Sequence, residues 1–356
     1  MQHLELQFHK LTNALYLLNN LLTKLVLTYL ILKGGNSMQN KFLGTILFFV
    51  LFTASAFSLS VDSKIPSYKK VSGVSGQISS VGSDTMNNMM ALWCEGFTKV
   101  YPSVKCQIEG KGSGTAPPAL ISGTSNIGPM SRAMKEKELK KFVDAFGYKP
   151  VRIKTSVDAL AVFVNKDNPV ECMSIKQVDA VFSKKRKCGG PEDIVVWGQL
   201  GAKGNLRYKP LSVYGRNSAS GTYGYFKKKA LCKGDYKDSV KEQPGSSAVV
   251  QGIANDISAI GYSGIGYLTS GVKAIALDKK GKGCSDPTPS QIDKGKYPLA
   301  RFLQFYVNQK PGTELEPLIK EFINFALSKE GQEIVIKDGY IPLSKAQVDG
   351  VLSQLN

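Results

Sequence analysis

Two apolar runs, ALAVFV at 159–164 and ARFLQFYVN at 300–308, bracket the middle of this chain. Each is short and rich in aliphatic and aromatic residues, and each reads as a buried strand. If they are neighbours in one sheet, everything between them must leave that sheet and come back. The middle section is then a second domain inserted into the first. Strand-like segments alternate with amphipathic helical ones on both sides of each run, which argues for α/β layers. A length of 356 residues suits two such domains better than one core. The expectation is an α/β protein with lobe 1 at 77–158 and 302–356 and lobe 2 at 159–301. A ligand cleft lies between the lobes, and the two strands act as the hinge.

The first 56 residues read differently. Met38 opens MQNKFLGTILFFVLFTASAFS, with one lysine, an apolar run from Phe42 to Phe52, and then Ala54-Ser55-Ala56. This is the layout of a secretory signal peptide, and the run is too short for a membrane span. Residues 38–56 are expected to be removed by cleavage after Ala56. Upstream, Lys33-Gly34-Gly35 reads as a translated ribosome-binding site, so residues 1–37 are expected to be a mis-assigned extension. The other reading of that stretch is an amphipathic or membrane helix over Leu11 to Leu32. Residues 57–76, rich in Ser and Lys, are expected to be a flexible lead-in. No cysteine sits just after the apolar run, so the expected location is the periplasm without a lipid anchor.

The charge then limits the partners. Residues 1–56 hold four Lys and one Glu, so their loss takes the formal net charge from +18 to +15. A basic chain favours anionic ligands or surfaces. Nucleic acid is not expected, because no basic run is interleaved with aromatics, and Lys137, Lys140 and Lys141 read as a solvated helix face. Both histidines, His3 and His9, fall in the leader. The exported part therefore has no His for acid–base catalysis, a Ser-His-Asp triad or a metal site. Its six cysteines are Cys94, Cys106, Cys172, Cys188, Cys232 and Cys284, an even number with no CxxC, which reads as a disulfide set. Pairing between sequence neighbours is expected: Cys94–Cys106, Cys172–Cys188 and Cys232–Cys284. No cofactor is expected.

Helical segments show in the periodicity. Met86, Met89, Met90, Trp93, Phe97 and Val100 recur at three- and four-residue steps and form one apolar, core-facing stripe. Ser131 offers an N-cap for RAMKEKELKKFVDAFG, which ends at Gly147. The tail LEPLIKEFINFALSKEGQEIVIKDG reads as one more amphipathic pattern.

Four segments combine Gly, Ser and Thr ahead of a helix start: GSDT (82–85), GSGTAPPAL (112–120), GPMSR (128–132) and GRNSASGT (215–222). Helix starts present free amides at a positive dipole end, and glycine lets backbone approach a ligand closely. Any one of these is an ordinary helix start. Four together, with Arg216 beside the last, suit a small, highly charged oxyanion.

GSGTAPPAL, GPMSR and GRNSASGTYGYF, with the later IGYSGIGY, resemble the phosphate-binding PstS family over about residues 77 to 345. The resemblance implies a two-lobed type II periplasmic-binding-protein fold that closes on inorganic phosphate. It implies delivery of phosphate to the membrane permease of an ABC transporter with its ATPase, by a monomer that is not an enzyme. Residue by residue it implies that Arg216 binds phosphate, with Ser220, Gly221 and Thr222 as the donors after it. It also implies Ser113 in the second loop and Ser83, Asp84 and Thr85 in the first. Two departures stand out. Ser131 occupies the place of an aspartate that accepts the proton of bound phosphate, which weakens the case for rejecting sulfate. An Arg-x-Asp arrangement reads here as Arg216-Asn217-Ser218, and Asp84 is expected to restore the acceptor. The competing readings are a receptor for another tetrahedral oxyanion such as sulfate, a secreted phosphatase with Ser113, Ser131 or Ser220 as nucleophile, and a surface-interaction protein.

Overall fold

The computed structural model describes residues 59–279 and 281–355. The leader readings, for 1–37 and for the signal peptide 38–56, lie outside the described residues. The chain divides into Met1–Ser58 and Leu59–Asn356, and every described element belongs to the second unit. Among the described residues no helix is long and apolar enough to cross a membrane.

The first part runs β1 (Gly76–Val81), α1 (Asn87–Val100), β2 (Val104–Glu109), α2 (Ala116–Ile121), β3 (Gly128–Met130) and α3 (Glu136–Phe146). β1 and β2 pair in parallel. The long strand β4 (Val151–Asn165) follows. Then come β5 (Cys172–Ser174), α4 (Ile175–Phe182), β6 (Ser212–Arg216), α5 (Gly221–Lys229), β7 (Lys241–Gln243), α6 (Ser246–Ala254) and β8 (Ala259–Gly264). β9 (Val272–Ala274), β10 (Ala276–Asp278), α7 (Pro289–Asp293), β11 (Ala300–Val307), α8 (Pro317–Leu327), α9 (Lys329–Lys337) and α10 (Lys345–Leu352) complete the chain.

The main sheet has seven strands in the order β3-β11-β4-β8-β6-β7, with β9 also on β4. β4 has 15 residues, enough at about 3.3 Å each to run through two cores. From Val151 to Ala159 it pairs antiparallel with β11. From Leu160 onward it pairs with β8 and β9. One core is built from Ile65 to Val104, Ile127 and Ile153, and again from Leu303 to Val351. A second is built from residues between Ala159 and Leu299, and two smaller clusters gather around Phe163 and Val249 and around Leu120 and Phe142. β4 and β11 are thus the two strands on which the chain passes between cores. In the first core Met86, Met89, Met90, Trp93 and Phe97 of the helical stripe are fully buried, and the Trp93 indole N–H donates to the Gly331 carbonyl at 2.8 Å.

Two expectations need correction. The lead-in is not flexible from residue 59 onward. Ile65 and Val74 are buried in the first core, the Tyr68 hydroxyl donates to Glu321 Oε2 at 2.6 Å, and the Lys329 N–H donates to the Pro66 carbonyl at 2.9 Å. A few apolar and aromatic anchors hold a stretch that its Ser and Lys content made look mobile.

The disulfides are Cys94–Cys106, Cys172–Cys284 and Cys188–Cys232, so only the first follows sequence neighbourhood. Strand pairing overrides proximity along the chain. β5 lies parallel to β10 with Cys172 opposite Ala276, and Ser285 bridges back to Leu277, which carries Cys284 to Cys172. The loops after α4 and α5 are joined by a bridge between Ser183 and Tyr236, which brings Cys188 to Cys232.

Candidate anion site

Three turns of the first lobe are stacked by backbone bonds. The Gly82 N–H donates to the Glu109 carbonyl at 3.0 Å, that of Ser83 to Pro129 at 2.8 Å, and that of Gly112 to Gly82 at 2.7 Å. Gly112 has φ +105°, which favours a residue without Cβ, and a Cβ there would stand 2.8 Å from the Ala219 carbonyl oxygen. Ser131 follows β3, and its N–H donates to Ser113 Oγ at 3.0 Å. It is not the N-cap of α3. That helix begins at Glu136, where the Glu138 carboxylate accepts the Lys135 N–H at 2.7 Å. Ser131 is instead fully buried beside Ser113.

The second lobe presents Arg216 at the end of β6 and the start of α5. Ser220 caps that helix, and its Oγ accepts the N–H groups of Thr222 at 3.1 Å and Tyr223 at 3.4 Å. Those two amides are therefore already partnered, while the Ser220 hydroxyl keeps a proton to offer.

The two sets of turns meet. The Gly114 N–H donates to the Ala219 carbonyl at 2.9 Å. Thr222 Oγ1 lies 2.8 Å from Thr85 Oγ1 and 3.5 Å from Ser131 Oγ, and Ser131 Oγ lies 3.3 Å from Ser113 Oγ. Gly221 allows the approach, since a Cβ there would stand 2.3 Å from Ser113 Oγ and 2.6 Å from Ser131 Oγ. Ser83 is buried in the same first-lobe turn, and its Oγ has no partner.

Arg216 is only 1% exposed. Its Nη1 lies 3.0 Å from Asp84 Oδ2 and donates to Ser246 Oγ at 2.6 Å, while Nη2 donates to the Pro244 carbonyl at 3.0 Å. Nε is buried without a partner. Burial pulls the guanidinium pKa below its ordinary value, and the Asp84 charge opposes that. Asp84 Oδ2 also accepts the Ser246 N–H at 2.8 Å. Asp84 Oδ2 thus touches both the Arg216 guanidinium and the Ser246 amide.

All nine residues singled out in the sequence, Ser83, Asp84, Thr85, Ser113, Ser131, Arg216, Ser220, Gly221 and Thr222, belong to this one cluster. The sequence reading assigned no role to four more. The Tyr267 hydroxyl donates to the Asp84 carbonyl at 2.8 Å and that of Tyr340 to the Thr85 carbonyl at 2.9 Å, clamping the first turn. Asp158 and Arg301 form a buried ion pair at 2.8 Å, and Arg301 Nη2 donates to Thr222 Oγ1 at 2.9 Å. The available signal was their placement, with an acid just before one apolar run and a base just inside the other. Among the described residues no group of three His, Cys, Asp or Glu side chains is arranged to hold a metal.

A PBP superfamily domain profile matches residues 69–330. A phosphate-binding protein PstS of Pseudomonas aeruginosa is 50% identical over 303 residues, which cover 85% of this chain and 94% of that protein. This chain belongs to the PstS family of phosphate-binding proteins. Solved structures agree in architecture with the PstS assignment. A candidate phosphate ABC transporter substrate-binding protein of Clostridium perfringens, crystallised with bound phosphate, is 25% identical with TM-score 0.64, covering 76% of this chain and all of the other. An ABC-type phosphate transport receptor of Vibrio cholerae, at 23% identity and TM-score 0.57 over 75% of this chain and all of that one, shares the fold. The fold is the two-lobed α/β type II periplasmic-binding-protein fold, with open sheets and two crossing strands.

Proposed function

We propose that this chain is a periplasmic receptor, working as a monomer, that closes its lobes on inorganic phosphate and hands it to the membrane permease of an ABC transporter. The observation that carries the reading is Arg216, a buried guanidinium with an unpartnered Nε. It is fixed by an aspartate of the opposite lobe amid buried hydroxyls from both lobes. Hydrogen bonds to a charged group contribute about 1.5 to 3 kcal/mol each, and micromolar binding needs about 8 kcal/mol net. Several such donors supply that after desolvation and closure. The lobe division near residues 158/159 and 301/302 belongs to this reading, with β4 and β11 as the hinge.

The site lacks what a serine phosphatase needs. Asp84 and Asp158, the carboxylates of the cluster, are both paired to arginines, and Ser113 Oγ accepts an amide proton rather than facing a base. The relative from Pseudomonas aeruginosa is named as a binding protein, in keeping with a receptor.

Calorimetric titration of the mature protein tests the proposal. One phosphate per monomer is expected, with binding lost in Arg216→Ala. A chromogenic phosphate ester should show no turnover. Turnover that survives Arg216→Ala but vanishes in Ser113→Ala would replace the receptor reading with an enzymatic one.

A further inference from the structure

We propose that the site holds two guanidinium groups, with Arg301 donating through Nη1 to the bound oxyanion from the hinge side while Arg216 donates from the second lobe. This rests on the phosphate-receptor reading and adds a binding residue to it.

Arg301 and Asp158 are opposite one another in the β4–β11 register, at the point where the chain passes between lobes. Both side chains are almost fully buried, at 3% and 0% exposure. Arg–carboxylate pairs are frequently forks that bring two nitrogens onto two oxygens. Here Nε and Nη2 both donate to Asp158 Oδ2, at 2.9 and 2.8 Å. Asp158 Oδ1 accepts the Ile265 N–H instead, at 3.1 Å. The carboxylate thus anchors one edge of the guanidinium and leaves the other edge out of the pair.

That other edge belongs to the cleft. Nη2 also donates to Thr222 Oγ1, which is itself in contact with Thr85 Oγ1. Nη1, on the same carbon, is buried and has no partner. The Tyr225 ring lies 5.2 Å from the guanidinium carbon, and the Tyr225 hydroxyl donates to the Ala300 carbonyl at 2.6 Å, so neither competes for Nη1. Two N–H groups of a buried cation left unpaired are costly, and an anion oxygen seated among the Thr85, Thr222 and Ser131 hydroxyls meets that need. The unpaired Nε of Arg216 has the same character. Each arginine has its own carboxylate, Asp84 or Asp158, so both are fixed without drawing on the ligand. Because Arg301 stands on β11, a ligand held by it also braces the crossing strands.

The test compares wild type, Arg301→Gln and Arg301→Lys by calorimetry with phosphate, arsenate and sulfate, together with arginine side-chain NMR of the wild type. Phosphate affinity should fall tenfold to a hundredfold in Arg301→Gln, as expected for one lost charge-assisted bond. Arg301→Lys should recover only part of it, since an ammonium cannot hold Asp158, Thr222 and the ligand together. Saturating phosphate should shift the Arg301 guanidinium resonances of the wild type, a readout that needs no variant to fold. A folded Arg301→Gln within twofold of wild type, or Arg301 resonances that ignore phosphate, would overturn the proposal while leaving the receptor reading intact. Wild type that binds none of the three anions defeats the receptor reading itself, and this inference with it.

Discussion

Gly221→Ala is a steric wedge placed between the lobes with no change of charge. The added Cβ would meet Ser113 Oγ at 2.3 Å, Ser131 Oγ at 2.6 Å and Ser113 Cβ at 2.8 Å, where ordinary contact starts near 3.4 Å. Rotating the Ser113 hydroxyl relieves only the first of these. The lobes must therefore part by on the order of 1 Å, which the hydrogen bonds of 2.8 and 2.9 Å across the cleft do not tolerate. Losing two bonds to a charged ligand at about 1.5 to 3 kcal/mol each weakens phosphate binding by roughly 10² to 10⁴-fold. The ligand-free protein should be unharmed, because Gly221 opens α5 with no left-handed φ, and Gly→Ala at a compatible position adds about 0.4 to 1 kcal/mol. Calorimetry gives the affinity, thermal unfolding without phosphate gives the stability, and small-angle scattering with saturating phosphate reports closure. Wild-type affinity in a folded Gly221→Ala protein would refute the closed-cleft geometry from which the wedge is argued.

The buried Asp338 carboxyl, hydrogen-bonded by Asn88, is raised from 3.8 to about 6 by desolvation. The folded state then holds a proton that the unfolded state releases, so stability falls as pH rises from about 4 to 6. Asp338→Asn should be more stable than wild type at pH 7.5 by up to about 3 kcal/mol and equal to it near pH 3.5, as read by denaturant melts. Removing Cys172–Cys284 by paired serine substitutions should cost more than removing Cys94–Cys106. The separations of 112 and 12 residues correspond to about 5 and 3 kcal/mol of loop entropy, and non-reducing peptide mapping checks the pairing itself. Ser131→Asp should raise the phosphate-to-sulfate affinity ratio at least about tenfold, or about 1.4 kcal/mol, by facing sulfate with a carboxylate. An unchanged ratio in competition calorimetry would count against the role given to this position.

What the sequence makes legible is local. The glycine-hydroxyl turns at 82–85, 112–115 and 215–222 announce themselves because turn chemistry lies within a few residues, and the structure sets them side by side. The runs at 159–164 and 300–308 mark the crossing strands because burial on both faces leaves a continuous apolar signature. Contacts between distant residues leave no such trace. Asp158 and Arg301 are separated by 143 positions, and each alone resembles a charged strand end. Ser131 looks like a helix cap because serine before an amphipathic run usually is one, yet the helix starts four residues later, where the Glu138 carboxylate accepts the Lys135 N–H. The last helical pattern is two helices, broken where Ser328 Oγ accepts the Gly331 N–H, a break that amphipathic periodicity on both sides conceals.

The hydroxyl cluster explains how such a site handles a ligand that carries a proton although both its carboxylates are paired to arginines. Thr85, Thr222, Ser131 and Ser113 form a chain of four oxygens with three contacts between them. Each hydroxyl has one proton to donate and lone pairs to accept with. Arg301 takes a lone pair of Thr222 and the Ser131 amide takes one of Ser113, so direction along the chain is the remaining freedom. Three contacts use three of the four protons, which leaves one to point outward at Thr85 or at Ser113, according to which way the chain runs. The opposite end then turns its proton inward and presents a lone pair. A protonated tetrahedral anion is thereby offered donors for its charged oxygens and an acceptor for its hydroxyl, with no unpaired carboxylate buried in advance. A fully deprotonated anion meets one outward proton and, at the other end, a lone pair facing its oxygen, so discrimination between the two rests on the orientation of shared protons rather than on repulsion by a fixed negative charge.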